Sequence, residues 1–441
     1  MRVTRPLTLL LFLGSLHSLA APIAPQDLLN LIPSSPAGQN LLLSEQQAAA
    51  AWNAAQAALG LKVNAGGNYS LNTSDFSSTQ QSGSVNLSLS LPVLPWGTAF
   101  DGLKTAQRNL KSALLDARDA RNILNSKIIS GYYSVALAEL DLKLAKENQT
   151  LAESQLQVAQ QQRGQGTASL ETLLQAQQKV NTTQASTLKA QNNLEVARST
   201  LGNTLGLPLP EGEFTAEVQS ALPDRTLQQW TTLALSQRSD LQKAQMKLES
   251  AQEALNQAIE DRWRPNATVS SGISSGGLGI DLGLNLQTGV LSSSASYSFQ
   301  NSTQNTSSQT GYKVSLSASI PIVDGTQDAN IQTQQLNLQS ASAALDTTKQ
   351  TAILDVKQKY SSVQLARLQV QNSNSNLELA REHLKVMEAR LKAGLSTSLD
   401  LTGAQIALEQ AQKDKTSAEV SLLSAVLDLL AAAGQPFGGA S

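Results

Sequence analysis

Cysteine is absent from the 441 residues, which removes disulfide staples and any lipid anchor carried on a cysteine. Stability has to come from packing or assembly. Histidine occurs twice: His17 lies in the leader described below, and His383 sits in the charged helical stretch "LELAREHLKVMEARL", where a lone imidazole reads as a solvated surface group. Zinc sites and Ser-His-Asp chemistry therefore lose their usual residues. No constellation of nucleophile, base and metal ligands is present, so the chain is expected to be no enzyme and to need no cofactor. Aromatic residues make up 4% and charged residues 15%, too few for a thick aromatic core and in keeping with polar-faced helices joined along Ala/Leu seams. The net charge is -2 and no basic cluster stands out, which argues against nucleic acid as a partner.

What is present begins with "MRVTRPLTLLLFLGSLHSLA". Two arginines, a short apolar run and small residues near Ala20 have the layout of a secretory signal over 1–20, too short for a retained membrane helix. The mature chain is expected to be exported.

The rest is a tandem repeat. One constant offset carries Gly97-Thr98 onto Gly325-Thr326, Tyr132 onto Tyr360, Gly166 onto Gly394, Ala176-Gln177 onto Ala404-Gln405, and Gly206 with Pro208 onto Gly434 with Pro436. Chance matching of Ala and Leu does not put glycines, prolines and tyrosines in one register. The expected division is a first repeat over 21–210, a linker over 211–225 and a second repeat over 226–441. Each repeat reads as a helix, two strands and a long helical hairpin.

From Leu103 apolar residues recur by threes and fours through Ala106, Leu110, Ala113 and Ala117, and after a stutter at Ile128 through Val135, Ala138 and Ala152, a coiled-coil seam. No proline interrupts Thr98 to Arg163 or Thr326 to Lys392, so each run is expected to be one helix, ended by a glycine-containing tip. The return helix is expected over Ser169 to Leu205, a further helical run from Thr226 to Pro265, and an N-terminal helix over Leu41 to Leu59 after a loose stretch from Ala21.

Alternating apolar and polar residues mark strands over Leu61 to Leu71, Gly83 to Val93, Ala267 to about Ser274, and Gly311 to Val323. Their length of about 9 to 11 residues suits tilted strands crossing a bilayer. Aromatics gather at their ends, with Trp96 and Trp263 expected at the membrane interface, alongside Phe76, Tyr297 and Tyr312. Open sheet edges cannot face lipid, and four strands are fewer than the smallest usual barrel of eight. The barrel would therefore be shared between chains. Two more alternating stretches, from Leu278 and from Val290, are either a further hairpin of the barrel or an outer loop, and the sequence does not choose.

The leader, the repeat, the junctions "LPVLPWGT" and "IPIVDGT", and the tips "GTASLETLLQAQ" and "GLSTSLDLTGAQ" together resemble the TolC-like outer-membrane efflux factor family. "QRSDL" from Gln237 is similar to the family's Arg-Pro-Asp-Leu element, with Ser239 in place of proline. The resemblance implies an α+β membrane protein: a homotrimer whose strands form one 12-stranded β-barrel in outer-membrane lipid and whose helices form a long periplasmic coiled-coil barrel. It implies a passive exit duct of a tripartite efflux or type I secretion system, working with a periplasmic adaptor (a membrane fusion protein) and an inner-membrane transporter. The residues carried over for docking and gating are Gly166, Thr167, Ser169, Leu170 and Leu173 at one tip, and Gly394, Ser396, Thr397, Leu399 and Asp400 at the other. A ring of Asp400 would favour cations at a constriction. The rival reading is a coiled-coil tether of the envelope that conducts nothing.

Overall fold

The computed structural model describes residues 23–75, 78–210, 212–218, 225–264, 266–301, 310–319 and 324–436. The expected leader over 1–20, Phe76, linker residues 211 and 219–224, and the strand end from Ile320 through Pro321 to Val323 lie outside the described residues.

The two proline-free runs are single helices, α3 (Thr98–Gly164) and α7 (Gly325–Lys392), and their return partners are α4 (Leu170–Leu205) and α8 (Ser398–Ala432). The repeat is written into the backbone. Gly166 (φ 77°) and Gly394 (φ 72°) close the two long helices, and Gly206 (φ 67°) and Gly434 (φ 69°) close the two return helices, all in the left-handed region where glycine carries no Cβ penalty.

Two helical expectations need correction. The stretch after Ala21 is ordered by local chemistry: Pro25 opens α1 (Pro25–Leu29), the Asp27 carboxylate accepts from the Ala24 N–H at 2.9 Å, and Leu28 is fully buried. A 3₁₀ turn (Ile32–Ser34) follows, and α2 spans Pro36–Ala57, beginning earlier than expected because proline is suited to the first helical position. The run after Thr226 is two helices, α5 (Leu227–Gln237) and α6 (Ser239–Trp263), broken where Arg238 takes an extended conformation (φ -63°, ψ 132°).

The chain divides into two compact units that cut across the repeats. One comprises Met1–Ala37, Leu124–Leu222 and Val363–Val426. In it α3 packs on α4, where Gly131 leaves room for Leu201 and the Thr187 hydroxyl donates to the Ala145 carbonyl at 3.2 Å. It also meets α8 through Lys143–Glu409 (3.0 Å) and Lys413–Asp141 (2.7 Å). Its buried residues include Ile128, Tyr132, Val135, Leu201 and Leu205. Tyr132 anchors the linker: its hydroxyl lies 2.5 Å from the Ile23 carbonyl and 2.9 Å from that of Thr215, and its ring packs on Phe214 with centroids 5.1 Å apart. Burial raises the Tyr132 pKa above the usual phenol value.

The other unit comprises Gly38–Ile123, Pro223–Ser362 and Leu427–Ser441. Here α6 packs against α3 through the Arg108–Glu253 pair and a Gln257–Asp101 hydrogen bond of 2.7 Å, and against α7 through an apolar cluster of Leu241, Leu345 and Ala352.

This unit also holds the sheet. Its strands are β1 (Lys62–Asp75), β2 (Ser78–Pro92), β3 (Asn266–Ser275), β4 (Leu278–Asn285), β5 (Val290–Asn301) and β6 (Gly311–Ser319), in the order β1-β2-β5-β4-β3-β6 with every neighbouring pair antiparallel. The stretches from Leu278 and Val290 are therefore strands of the one sheet, inserted as a hairpin between β2 and β3. Among the described residues the sheet has six strands, two more than the four per chain from which the expected twelve were counted. Glycine-rich turns at Gly276-Gly277 and Gly289, all at positive φ, let this hairpin fold within the sheet.

Candidate functional site

Strand register sorts the sheet into two faces. Val85 and Leu87 of β2 stand opposite Gly67 and Ala65 of β1 and opposite Tyr297 and Ala295 of β5. Ile280 of β4 stands opposite Ala295 of β5 and Ile273 of β3, which in turn faces Tyr312 of β6. Because side chains alternate, these residues share one face across all six strands. The face is apolar and uncovered: Val85, Tyr297, Ile280, Ile273 and Tyr312 are all exposed, and Val314 on β6 is 78% exposed. The opposite face carries Asn86, Ser88, Ser294, Asp281, Ser270 and Ser315, with Ser70–Ser82 (2.8 Å) and Ser270–Ser315 (2.7 Å) hydroxyl pairs between neighbouring strands. An apolar face of this extent on an ordinary soluble sheet would be an aggregation surface.

The junction of β2 with α3 is where Trp96 sits. Its indole N–H donates to the Leu286 carbonyl in the β4–β5 turn at 2.9 Å, and the Arg264 guanidinium lies 5.8 Å from its ring. The Val93 N–H donates to the Gly289 carbonyl at 2.9 Å in the same place. Trp96 therefore fastens the inserted hairpin to the strand-to-helix junction. Trp263, at the end of α6, is exposed, with Arg262 5.6 Å from its ring. Tyr297 and Tyr312 lie on the apolar face within the strands.

The tips are built as capped turns. Ser169 accepts from the Thr172 N–H at 3.0 Å, and Thr397 accepts from the Asp400 N–H at 3.2 Å while the Asp400 carboxylate accepts from the Thr397 N–H at 2.8 Å. The backbone N–H and then the hydroxyl of Thr397 hold the Asp400 carboxyl below its usual range. Asp400 thus has a structural task in its own chain. Gly166, Thr167, Ser169, Leu170, Gly394, Thr397 and Asp400 are exposed; Leu173, Ser396 and Leu399 are half-buried, with the Ser396 hydroxyl itself enclosed and unpartnered. Leu395 is 77% exposed and Leu174 also lies open. Neither was singled out in the sequence, although Leu395 follows the helix-closing Gly394 directly.

The "QRSDL" element is the helix break between α5 and α6. Arg238 donates to Asp240 (2.8 Å), to Asp355 of α7 (2.7 Å) and to the Ala432 carbonyl at the end of α8 (3.0 Å). Buried Ser239 donates to Asp119 and accepts from Arg118, both at 2.7 Å. The Asp240 hydrogen bond leads the effects that keep Arg238 charged, and Asp240, although partly desolvated, is held below the usual carboxylate range by Arg238.

Among the described residues no group of His, Cys, Asp and Glu could hold a metal ion, and no helix is long and apolar enough to cross a membrane.

A sheet with one open apolar face, joined through Trp96 and Gly97 to the long helix α3, fits a membrane-embedded protein with a large helical part. The model of the family "Outer membrane efflux protein" matches residues 31–207 and 230–435, and the chain belongs to that family. Solved structures similar to it include the outer membrane protein VceC from Vibrio cholerae (17% identity, 94% of this chain and 96% of that one, TM-score 0.64). The Campylobacter jejuni CmeC outer membrane channel is also similar (16%, 95% and 87%, TM-score 0.67), as is the open state of the Neisseria gonorrhoeae MtrE outer membrane channel (18%, 93% and 89%, TM-score 0.63). No curated protein sequence matches the chain. The protein is an outer-membrane efflux channel with a large periplasmic helical part, and it is not an enzyme.

Proposed function

We propose that three copies of the chain form the exit duct of a tripartite efflux or type I secretion system, opened from the periplasm by an adaptor and driven by an inner-membrane transporter. The supporting observation is the pairing of an uncovered apolar sheet face with open edges at β1 and β6, which lipid and neighbouring copies would cover. Rows of exposed leucine on the helices, such as Leu365, Leu368 and Leu379 of α7 and Leu174 and Leu188 of α4, call for the same neighbours. The tips are the docking and gating surface on this reading: Gly166, Thr167, Ser169, Leu170 and Leu173 with Gly394, Ser396, Thr397, Leu399 and Asp400, to which Leu395 is added for its exposure. Trp96 and Trp263 sit at the inner lipid interface.

Two measurements test it. Photo-crosslinkers at Leu170 and Leu395 in living cells are expected to capture a periplasmic adaptor, and purified trimer in a planar bilayer is expected to conduct. Absence of conductance, even with Asp400→Ala to loosen the tips, would favour the envelope tether instead.

A further inference from the structure

We propose that the inserted β4–β5 hairpin is part of the wall that crosses the membrane, so that three copies close an eighteen-stranded barrel, with β1 of one copy paired to β6 of the next. This rests on the trimeric duct proposed above. Three observations support it.

The first is height. The β4–β5 turn is bonded to the β2–α3 junction through Trp96–Leu286 and Val93–Gly289, both 2.9 Å. At the other end the β3–β4 turn is bonded to β5, the Ser298 N–H donating to the Gly277 carbonyl at 2.7 Å. The hairpin therefore runs alongside β2 and β3 instead of rising beyond them. The second is face. Ile280 and Leu282 of β4 and Ala295 and Tyr297 of β5 continue the apolar face without a break, while Ser294 and Ser296 continue the polar one. A loop in water has no need of that phase. The third is parity. Every neighbouring pair in the six-stranded sheet is antiparallel, so an even number of strands leaves β1 and β6 running in opposite directions. Adjacent copies can then continue the antiparallel ladder around the ring, and no edge is left in lipid.

The consequence is a wide pore. Barrel diameter grows roughly in proportion to strand number, and barrels of about 16 to 18 strands leave an aqueous channel. The polar face is dominated by Ser, Asn and Gly, and the ionisable residues that strand register places on it include Lys62, Asp281 and Lys313. The lumen is suited to bulky hydrated cargo of little charge, and it discriminates weakly by charge at this level.

Because the chain contains no cysteine, single cysteines give clean probes. Spin labels are placed along β2 (residues 86–90) and β5 (residues 292–297) in the full-length trimer in liposomes, and their accessibility to oxygen and to a water-soluble nickel chelate is compared. Both strands are expected to alternate with period two, Leu87 and Ala295 in the lipid phase and Ser88 and Ser294 in the water phase, with swings of similar size. Water access at every β5 position alongside alternation in β2 would overturn the inference and leave the duct reading standing. Loss of alternation in both strands would overturn the two together. As a second readout, Ser88→Cys with Ser294→Cys is expected to form a disulfide within one chain in the membrane, and cysteines at Asn64 or Asn68 of β1 combined with Ser315 or Ser317 of β6 to give covalent dimers and trimers. An intrachain crosslink with no interchain product at any combination would exclude the β1–β6 closure.

Discussion

The indole N–H of Trp96 donates to the carbonyl of Leu286 at 2.9 Å, joining the end of the first strand pair to a turn that the other repeat supplies. Directly beside it Gly97, at φ 96°, packs so closely on Thr288 that an added Cβ would lie 2.2 Å from its carbonyl oxygen. Its repeat equivalent, Gly325, is helical and has nothing within 4 Å of such a Cβ. Gly97→Ala is therefore expected to destabilise the assembled protein strongly, and Gly325→Ala to leave it unchanged or more stable by up to about 1 kcal/mol. Thermal melts followed by circular dichroism check the contrast; equal effects at both sites would refute the packing account. Trp96→Phe removes the hydrogen bond together with part of the ring that faces Arg264, and should cost at least about 1 kcal/mol.

Arg238 joins the α5–α6 break to α7 and to the end of α8. Arg238→Ala leaves Asp355, Asp240 and the Ala432 carbonyl short of a donor, at a cost of about 2–3 kcal/mol. Arg238→Lys is expected to recover only part of this, since a single ammonium cannot reproduce the guanidinium fork. Chemical denaturation reads both, and full recovery by lysine would show that charge alone matters.

At the second tip the reciprocal Thr397–Asp400 cap fixes the first turn of α8. Thr397→Ala is expected to cost about 1 kcal/mol locally, seen as faster amide hydrogen exchange over residues 397–403 with little change in the melting temperature. Unchanged exchange would free Asp400 for the gating role alone. Gly394→Ala, forced into φ 72°, should disturb the same turn.

Burial, reinforced by the neighbouring Glu409 carboxylate, raises the Glu147 pKa above its ordinary value of 4.5. The folded chain then holds this proton where the unfolded chain has lost it, so the associated stability is present below pH 4.5 and is lost as the pH rises through the folded value. Glu147→Gln is expected to flatten the dependence of melting temperature on pH from 4.5 upward and to melt no lower than the parent at neutral pH. A lower melting temperature there would mean that the Lys143–Glu147 pair (3.7 Å) outweighs the burial.

Much of this molecule can be read from residue order. The absence of proline between Thr98 and Gly164 and between Gly325 and Lys392, the period of the Ala/Leu seams, and the matched glycines at 166 and 394 depend on local backbone rules, which act on each segment alone. The alternation in β2 and β6 is local in the same sense, and with the tip and junction motifs it was enough to point to the family. Tertiary structure decided what depends on distant partners. "LGIDLGLNL" and "VLSSSASYSF" alternate as barrel strands and decorative hairpins both do, and only pairing with β2 and β3 placed them inside the sheet. Trp96 and Trp263 look alike as interface aromatics, yet one has its N–H committed to Leu286 and the other stands exposed. Gly97 and Gly325 occupy the same repeat position, and Thr288, nearly two hundred residues from one of them, makes only the first indispensable. Chain-local periodicity set the elements; long-range hydrogen bonding and steric fit set how many strands share the sheet and which copy of each repeated residue matters.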